Sequence, residues 1–493
     1  MRNICIIILS FLLLCAGCQP TPEMDAVKQK NTNLLIEAVK EAEQGQQAEA
    51  KAGEPAPSPV PVKELMPERF QCDFLTEARQ VHVQADVPIR VLTEGTFPLV
   101  RVQRRAFTNE ERLTLYKRLF GSETVYKYEY RPTREAVVKE IEWLLQEPTA
   151  EEKKEFLEDP EESEETWAAY LQSRKDRIEM LRQKYLSLPD DGSPLPFEPW
   201  DGALFTIRNG ESPGMVVGVE YPTPMKMPSY GTLFEGRPVD YSREKEDGND
   251  TYSVFSFDKR LDKPNVERIA PEDYGKAHAG AAITARQAAE AAMAPFVGLG
   301  DFAVADILWS HDADDAAVAA GKIGKQAYLV RLTPVFHGAS MPYCGMDAMD
   351  IPEDGGYTPS WCYEHVIAAV DGDGTILGMA WEGPLQETEV VSDTTTLLPY
   401  EEVMDIFARQ VNRIFSYEED IHGSLTVSNV QLGLFRIREQ GDMESGLLVP
   451  VWFITGEYRC ASHPEEVHLY DDLAPIAVIN AIDGSIIDVM KGY

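Results

Sequence analysis

A chain of 493 residues is longer than one hydrophobic core usually serves, so several domains are expected. The hydrophobic fraction of 44% is that of a globular protein, while a formal net charge of −36 sets the chain against nucleic acid and anionic lipid headgroups as partners. Eight histidines leave little material for imidazole catalysis, and no Gly-x-Ser-x-Gly, His-Glu-x-x-His or Walker-type phosphate loop occurs.

The N-terminus has the layout of a secretory signal: Arg2, a short apolar run over Ile4–Leu14, then Cys15-Ala16-Gly17-Cys18. Small residues directly before Cys18 match a lipobox, in which the thiol takes a diacylglycerol and becomes the new N-terminus; Cys15 stands where leucine is usual. Residues 1–18 are therefore expected to be a lipoprotein signal ending at Cys18, and 19–63 a tether rich in Pro, Ala and Glu. Within the tether, Leu34, Leu35, Ile36 and Val39 suit a short helix.

Folded sequence begins near Glu68. Val81–Val87 and Leu99–Val102 alternate with period two and read as strands. Helices are expected over Thr108–Phe120, Thr133–Glu147, Thr149–Glu158 and Glu164–Leu188, with Thr133 able to cap the second and Pro148 and Pro160 separating the last three. Together 64–199 reads as an N-terminal α+β domain. Beyond the proline-rich Pro189–Pro199, residues 200–279 read as a β-rich segment with strands near Ala203–Arg208, Met215–Tyr221 and Thr251–Phe257.

The last two hundred residues carry a pattern twice. Asp373-Gly374-Thr375-Ile376-Leu377 matches Asp483-Gly484-Ser485-Ile486-Ile487, and Leu332–Phe336 matches Leu448–Trp452. Upstream lie candidate strands at Phe302–Trp309 and Val430–Arg438, preceded by helical stretches at Thr284–Met293 and Pro399–Phe415. Each copy reads helix, strand, strand, hairpin, with structural turns at Asp373-Gly374 and Asp483-Gly484. The copies span 280–390 and 391–493. The expected fold is thus α+β and multidomain, with antiparallel sheets carrying helices on one face and a C-terminal tandem duplication.

One cluster invites chemistry. His337, Cys344, Cys362 and His365 lie in or beside the loop that lengthens the first copy. Sulfur and imidazole are zinc ligands, although this spacing matches no standard zinc module. Cys344 and Cys362 alternatively form a disulfide across that loop, or remain unbonded. Asp371–Thr375 is acidic like a calcium loop, but Ile376 stands where the required glycine belongs, so a hairpin turn is the expectation. No cofactor is expected.

The lipobox-like start, the Val-Gln-Ala-Asp-Val strand at Val83–Val87, Leu448–Trp452 and Ile479–Ser485 resemble an uncharacterised family of lipoproteins found in clostridia and related Gram-positive bacteria. Each C-terminal copy also resembles PepSY-type modules. That resemblance implies an extracytoplasmic protein associated with restraining peptidases or with envelope regulation, and brings no catalytic residues with it. The expected function is that of a membrane-anchored extracytoplasmic lipoprotein that binds or regulates an envelope protein or peptide without catalysis. Two alternatives are a secreted hydrolase or metal-dependent enzyme built on His337, Cys344, Cys362 and His365, and a substrate-capture or spacer subunit of an envelope complex.

Overall fold

The computed structural model of the chain describes residues 32–49, 60–77, 81–120, 124, 126–127, 133–159, 163–189, 199, 201, 215–218, 239–243, 252–256, 266–310, 327–345, 347–350, 358–416, 422–438, 442, 444–463 and 467–493; for some of these, Cys362 included, only the backbone is described. The signal and lipobox expected over 1–18, and the candidate strand at Ala203–Arg208, lie outside the described residues.

Helix α1 (Thr32–Glu49) and a single turn α2 (Val62–Leu65) precede strands β1 (Arg69–Leu75), β2 (Val81–Val91) and β3 (Leu99–Arg104). Then come α3 (Asn109–Phe120), β4 (Tyr126–Lys127), α4 (Arg134–Leu145), α5 (Ala150–Glu158) and α6 (Glu164–Ser187). Short strands β5 (Met215–Gly218), β6 (Val239–Arg243), β7 (Tyr252–Ser256) and β8 (Val266–Arg268) lead to α7 (Ala285–Met293). The chain continues through β9 (Phe302–Ser310), β10 (Ala327–Phe336), β11 (Ala339–Ser340), β12 (Asp347–Asp350), β13 (Thr358–Cys362), β14 (His365–Asp371), β15 (Ile376–Glu382) and β16 (Leu385–Ser392). It ends with α8 (Tyr400–Ile414), β17 (Gly423–Ile437), β18 (Ser445–Cys460), β19 (Val467–Tyr470) and β20 (Ala477–Asn480).

The fold is α+β, as the alternation of apolar residues predicts. Among the described residues one sheet runs β1-β2-β17-β18-β3-β16, with β19 and β20 also on β18. Only β2 and β17 pair parallel in it. A second, antiparallel sheet runs β4-β5-β6-β7-β15-β14-β10-β9-β8, with β11 on β10, and β12 and β13 form a small pair of their own. The segments drawn from sequence do not coincide with these sheets. β1–β3, from the expected N-terminal domain, complete the sheet of the last hundred residues, and β16 spans the boundary placed at 390/391.

Strand β18 is the spine of the first sheet. One edge pairs with β17 along its length; the other is shared by β3, β20 and β19 in succession. Pro450, which brings no N–H, falls where that second edge passes from β3 to β20. The centre of the sheet, where β17 and β18 pair, is buried on both faces. Helix α8 covers one with Val403, Ile406, Phe407 and Val411, at helical spacing, and sets Phe407 edge-on to Phe70 at 5.2 Å. Leu35, Ile36 and Val39 of α1, with Tyr363, Ile487 and Val489, cover the other. The tether expected over 19–63 therefore contains a helix packed into the core, and the Leu35/Ile36/Val39 stripe is its buried face.

On the second sheet α7 lies close because its buried face is Ala285, Ala288, Ala289 and Ala292. Its first turn is closed by a capping box between Thr284 and Gln287. Helices α4 and α6 pack around a small core of Val137, Leu144, Ile178 and Leu181.

The repeated pattern recurs as an order of elements: α7, β9, β10, β14 in one sheet and α8, β17, β18, β20 in the other, consecutive strands pairing antiparallel. The matched prolines do not occupy matching places. Pro334 lies opposite Phe302, the first residue of β9, whereas Pro450 lies opposite Leu434, deep within β17. The Asp-Gly turns form as expected, with Gly374 at φ 93° and Gly484 at φ 73°, both in the region glycine tolerates. After the second turn the expected strand from Ile486 is reduced to one bridge, Ile479 to Ile486. The chain then crosses the sheet face, which buries Ile487 and Val489 instead of extending the ladder.

Candidate functional site

The two sheets meet along a seam. Ser340 N–H donates to Leu92 C=O at 2.9 Å, Thr93 bridges Ala339, and Arg90 Nη2 donates to Ala305 C=O at 2.6 Å. Gly433 of β17 faces this seam, where a Cβ would stand 2.7 Å from Leu92 Cδ1, 2.9 Å from Pro342 Cδ and 3.0 Å from Ser340 O. The approach is close because β17 has no side chain there.

Four charges meet in the seam, two buried carboxylates with a partly buried Arg331 and an Arg268 that keeps a third of its side chain exposed. Arg268 of β8 reaches Asp306 at 3.1 Å and Asp472 at 3.2 Å; Arg331 of β10 pairs with Asp472 and lies 3.5 Å from Asp306. Asp306 comes from β9, whereas Asp472 lies between β19 and β20 of the other sheet, so the pairs clamp sheet to sheet. The Arg331 guanidinium also stacks over Tyr343 at 4.1 Å. Burial raises the Asp472 carboxyl, and Asp306 beside it adds to the rise, against the pull of Arg331 and Arg268. Burial opposes the Arg331 charge, but Asp306 and Asp472 more than offset it and hold the guanidinium charged. Two acids and two guanidiniums balance formally, so the cluster has the chemistry of a clamp rather than of an anion site.

A second arrangement lies at the end of β18. Cys460 Sγ is 3.0 Å from Ser462 Oγ, which is 3.0 Å from His463 Nδ1. Hydrogen bonds from Ser462, and then from His463, bring the thiol down to about 7, so a substantial thiolate fraction stands at neutral pH. Cys72 is the opposite case: burial, and then Asp73, push its thiol up to about 11. The two cysteines do not pair. β2 and β17 separate β1 from β18, three strand spacings or roughly 14 Å, well beyond disulfide reach. Cys460 reads in sequence only as a leftover cysteine. The signal beside it is Ser462-His463, two polar residues able to relay a proton once the strand end folds back.

The sequence cluster resolves into separate roles. His337, at φ 50°, and Gly338, at φ 80°, form the two-residue turn between β10 and β11, a hairpin of the type that needs positive φ at both central positions. Its Nε2 lies 2.8 Å from Glu387 Oε2. Cys344 is buried with Tyr363 in the core under α1. His365 is buried with Nδ1 2.8 Å from Tyr363 O and its ring edge-on to Tyr343 at 5.0 Å. Among the described residues no three His, Cys, Asp or Glu side chains gather as metal ligands, so His337, Cys344 and His365 do not form a common site. The Cys362 side chain, and with it the disulfide to Cys344, lies outside the described residues. Asp373-Gly374 and Asp483-Gly484 sit in the turns, where Asp371 Oδ1 and Asp483 Oδ1 accept backbone N–H groups at 2.9–3.0 Å.

No family model matches the chain, and no curated protein matches it. Among solved structures, an uncharacterised protein from Eubacterium rectale ATCC 33656 overlaps 86% of this chain and 94% of its own, at 9% identity and a TM-score of 0.37. A likeness at that level fixes neither fold nor function. No described helix is long and apolar enough to cross a membrane.

Proposed function

We propose that this is a lipid-anchored protein on the outer face of a bacterial membrane that binds or regulates an envelope protein or peptide without turning over a substrate. The observation that carries the reading is the docking of α1. If Cys18 bears the lipid, residues 19–31 alone separate the anchor from a helix whose Leu35, Ile36 and Val39 are in the core. Thirteen residues span at most about 45 Å, so the body is held near the bilayer rather than on a long leash. The net charge of −36 keeps it off anionic headgroups and favours a neutral or basic partner. Among the described residues, edge strand β1 pairs on one side only, with β2, and suits an added strand from an extended peptide.

The finer architectural reading is that 280–390 and 391–493 descend from one duplicated PepSY-like block, supported by the shared order of helix and antiparallel strands. Superposing 285–382 on 400–486 tests it. For the functional reading, cells are fed a labelled fatty acid. The label is expected on the wild-type chain in the membrane fraction and absent from Cys18→Ala. A wild-type chain without label, recovered in the soluble fraction, overturns the anchor. Capture from envelope extracts then identifies the partner.

A further inference from the structure

The hydrogen bonds of β1 show which backbone groups its edge leaves open. Ile89 N–H donates to Glu68 C=O at 2.9 Å, and Thr76 N–H to Val81 C=O at 3.0 Å. These bonds continue the β1–β2 register at its two ends, so the bonded pairs of the ladder fall on the even-numbered residues of β1. Phe70, Cys72 and Phe74 therefore bond inward to β2. Arg69, Gln71, Asp73 and Leu75 turn their N–H and C=O groups outward.

Helix α8 runs beside that edge. Asn412 Oδ1 accepts the outward Glu77 N–H at 2.6 Å, and the Tyr400 hydroxyl faces the outward Gln71 N–H. Side chains roughly three turns apart on one helix thus close the two ends of the outward row. Between them, the N–H groups of Asp73 and Leu75 meet no acceptor among the described residues. Alongside this gap α8 carries Met404 and Ala408, spaced by four in line with Tyr400 and Asn412. Half-buried Cys72 and Phe74 of β1 lie on the same side, against the core that α8 covers. A slot is left between strand edge and helix, apolar on its helical side.

Its border is acidic. Glu68 and Glu77 stand at the ends of β1, exposed Asp73 lies on the solvent face, and exposed Glu401 and Asp405 fall on the Ala408 side of α8. Of the guanidiniums nearby, Arg69 is tied to Asp86 at 2.6 Å, which leaves Arg409.

We propose that this slot takes an extended basic peptide as an added strand of the sheet. It rests on the function proposed for the chain and adds the chemistry of the partner. The peptide backbone pairs with the open N–H and C=O groups of Asp73 and Leu75. Because side chains alternate along a strand, one set of the peptide's residues meets Met404 and Ala408, and the other lies on the solvent face beside Asp73. Apolar residues suit the first set and lysine or arginine the second.

Fluorescence anisotropy of a labelled decapeptide alternating valine and lysine, titrated with the full chain, tests this. Binding is expected, and a valine–glutamate peptide should bind at least about tenfold more weakly. N-methylation of the lysines blocks an antiparallel added strand and N-methylation of the valines a parallel one, so one of the two is expected to abolish binding. Leu75→Pro removes an outward N–H from an edge position that tolerates proline and should weaken binding at least about tenfold; Leu75→Ala keeps the N–H and should stay within about twofold. The methylated peptides read the same contact on the wild-type chain, whether or not Leu75→Pro folds. Cys18→Ala should bind as the wild type does, so lost peptide binding strikes the slot alone and lost lipid label strikes the anchor alone. No binding by the wild type, equal binding of the valine–glutamate peptide, or full binding of both methylated peptides overturns the proposal. So does a wild-type dimer that Leu75→Pro dissociates, which gives the edge to a second copy of the chain.

Discussion

Cys460 and Cys72 show how placement decides what a residue type does. Both are cysteines on strands of one sheet, yet one thiol lies at about 7 and the other at about 11. The thiolate is the nucleophile, so Cys460 is expected to alkylate at least about tenfold faster than Cys72 at pH 7.5, after allowing for the lower intrinsic nucleophilicity of a low-pKa thiol. Peptide mapping after a short iodoacetamide pulse checks this, and His463→Ala should slow Cys460 specifically. Faster labelling of Cys72 contradicts it. His337 teaches the same lesson from the other side. Val-Phe-His-Gly-Ala-Ser has a two-residue turn at its centre, and histidine tolerates positive φ better than most residues. Its value at that position is conformational.

At the scale of elements, three features carry distinct energies. Thr284→Ala removes the N-cap of α7 and is expected to cost about 1 kcal/mol in denaturant unfolding. Gly433→Ala drives a methyl against Leu92, Pro342 and the Ser340 carbonyl. Because a backbone oxygen is among the atoms met, relief requires the seam to shift, and a loss of about 1–3 kcal/mol is expected. The third is α1. Ile36→Asp places a charge in the face that packs beneath the sheet, so α1 should undock while the two sheets stay folded. Limited proteolysis should then cut N-terminal to residue 60 in the variant and spare the wild type. Equal protection of both chains shows that the helix is not held by that face.

Across the whole molecule the seam decides how the sheets act together. Arg331→Met leaves Asp306 and Asp472 with Arg268 alone, and breaking a buried pair in this way is expected to cost about 3–5 kcal/mol. Pairing it with Asp472→Leu removes an orphaned charge and should cost less than the sum of the single changes; simple additivity of the urea-unfolding free energies contradicts the clamp.

Much of the local structure was legible in the residues alone. The Thr133 cap marked the start of α4 and proline breaks separated α4, α5 and α6; alternation marked β2 and β3; and Asp-Gly marked the two turns, because these signals act through neighbouring backbone groups. The apolar stripe of α1 was also visible, but whether a stripe packs on a sheet or faces water depends on what the chain brings to it from far away. For the same reason the pairing of β2 with β17 and of β3 with β18, more than three hundred residues later, the seam of Asp306, Arg331 and Asp472, and the confinement of Glu364 had no local signature. Sequence by itself determined the elements and the charge balance. Only the tertiary structure decided which sheet each strand completed and which ionisable groups lost their water, because both follow from long-range contacts that local spacing does not encode.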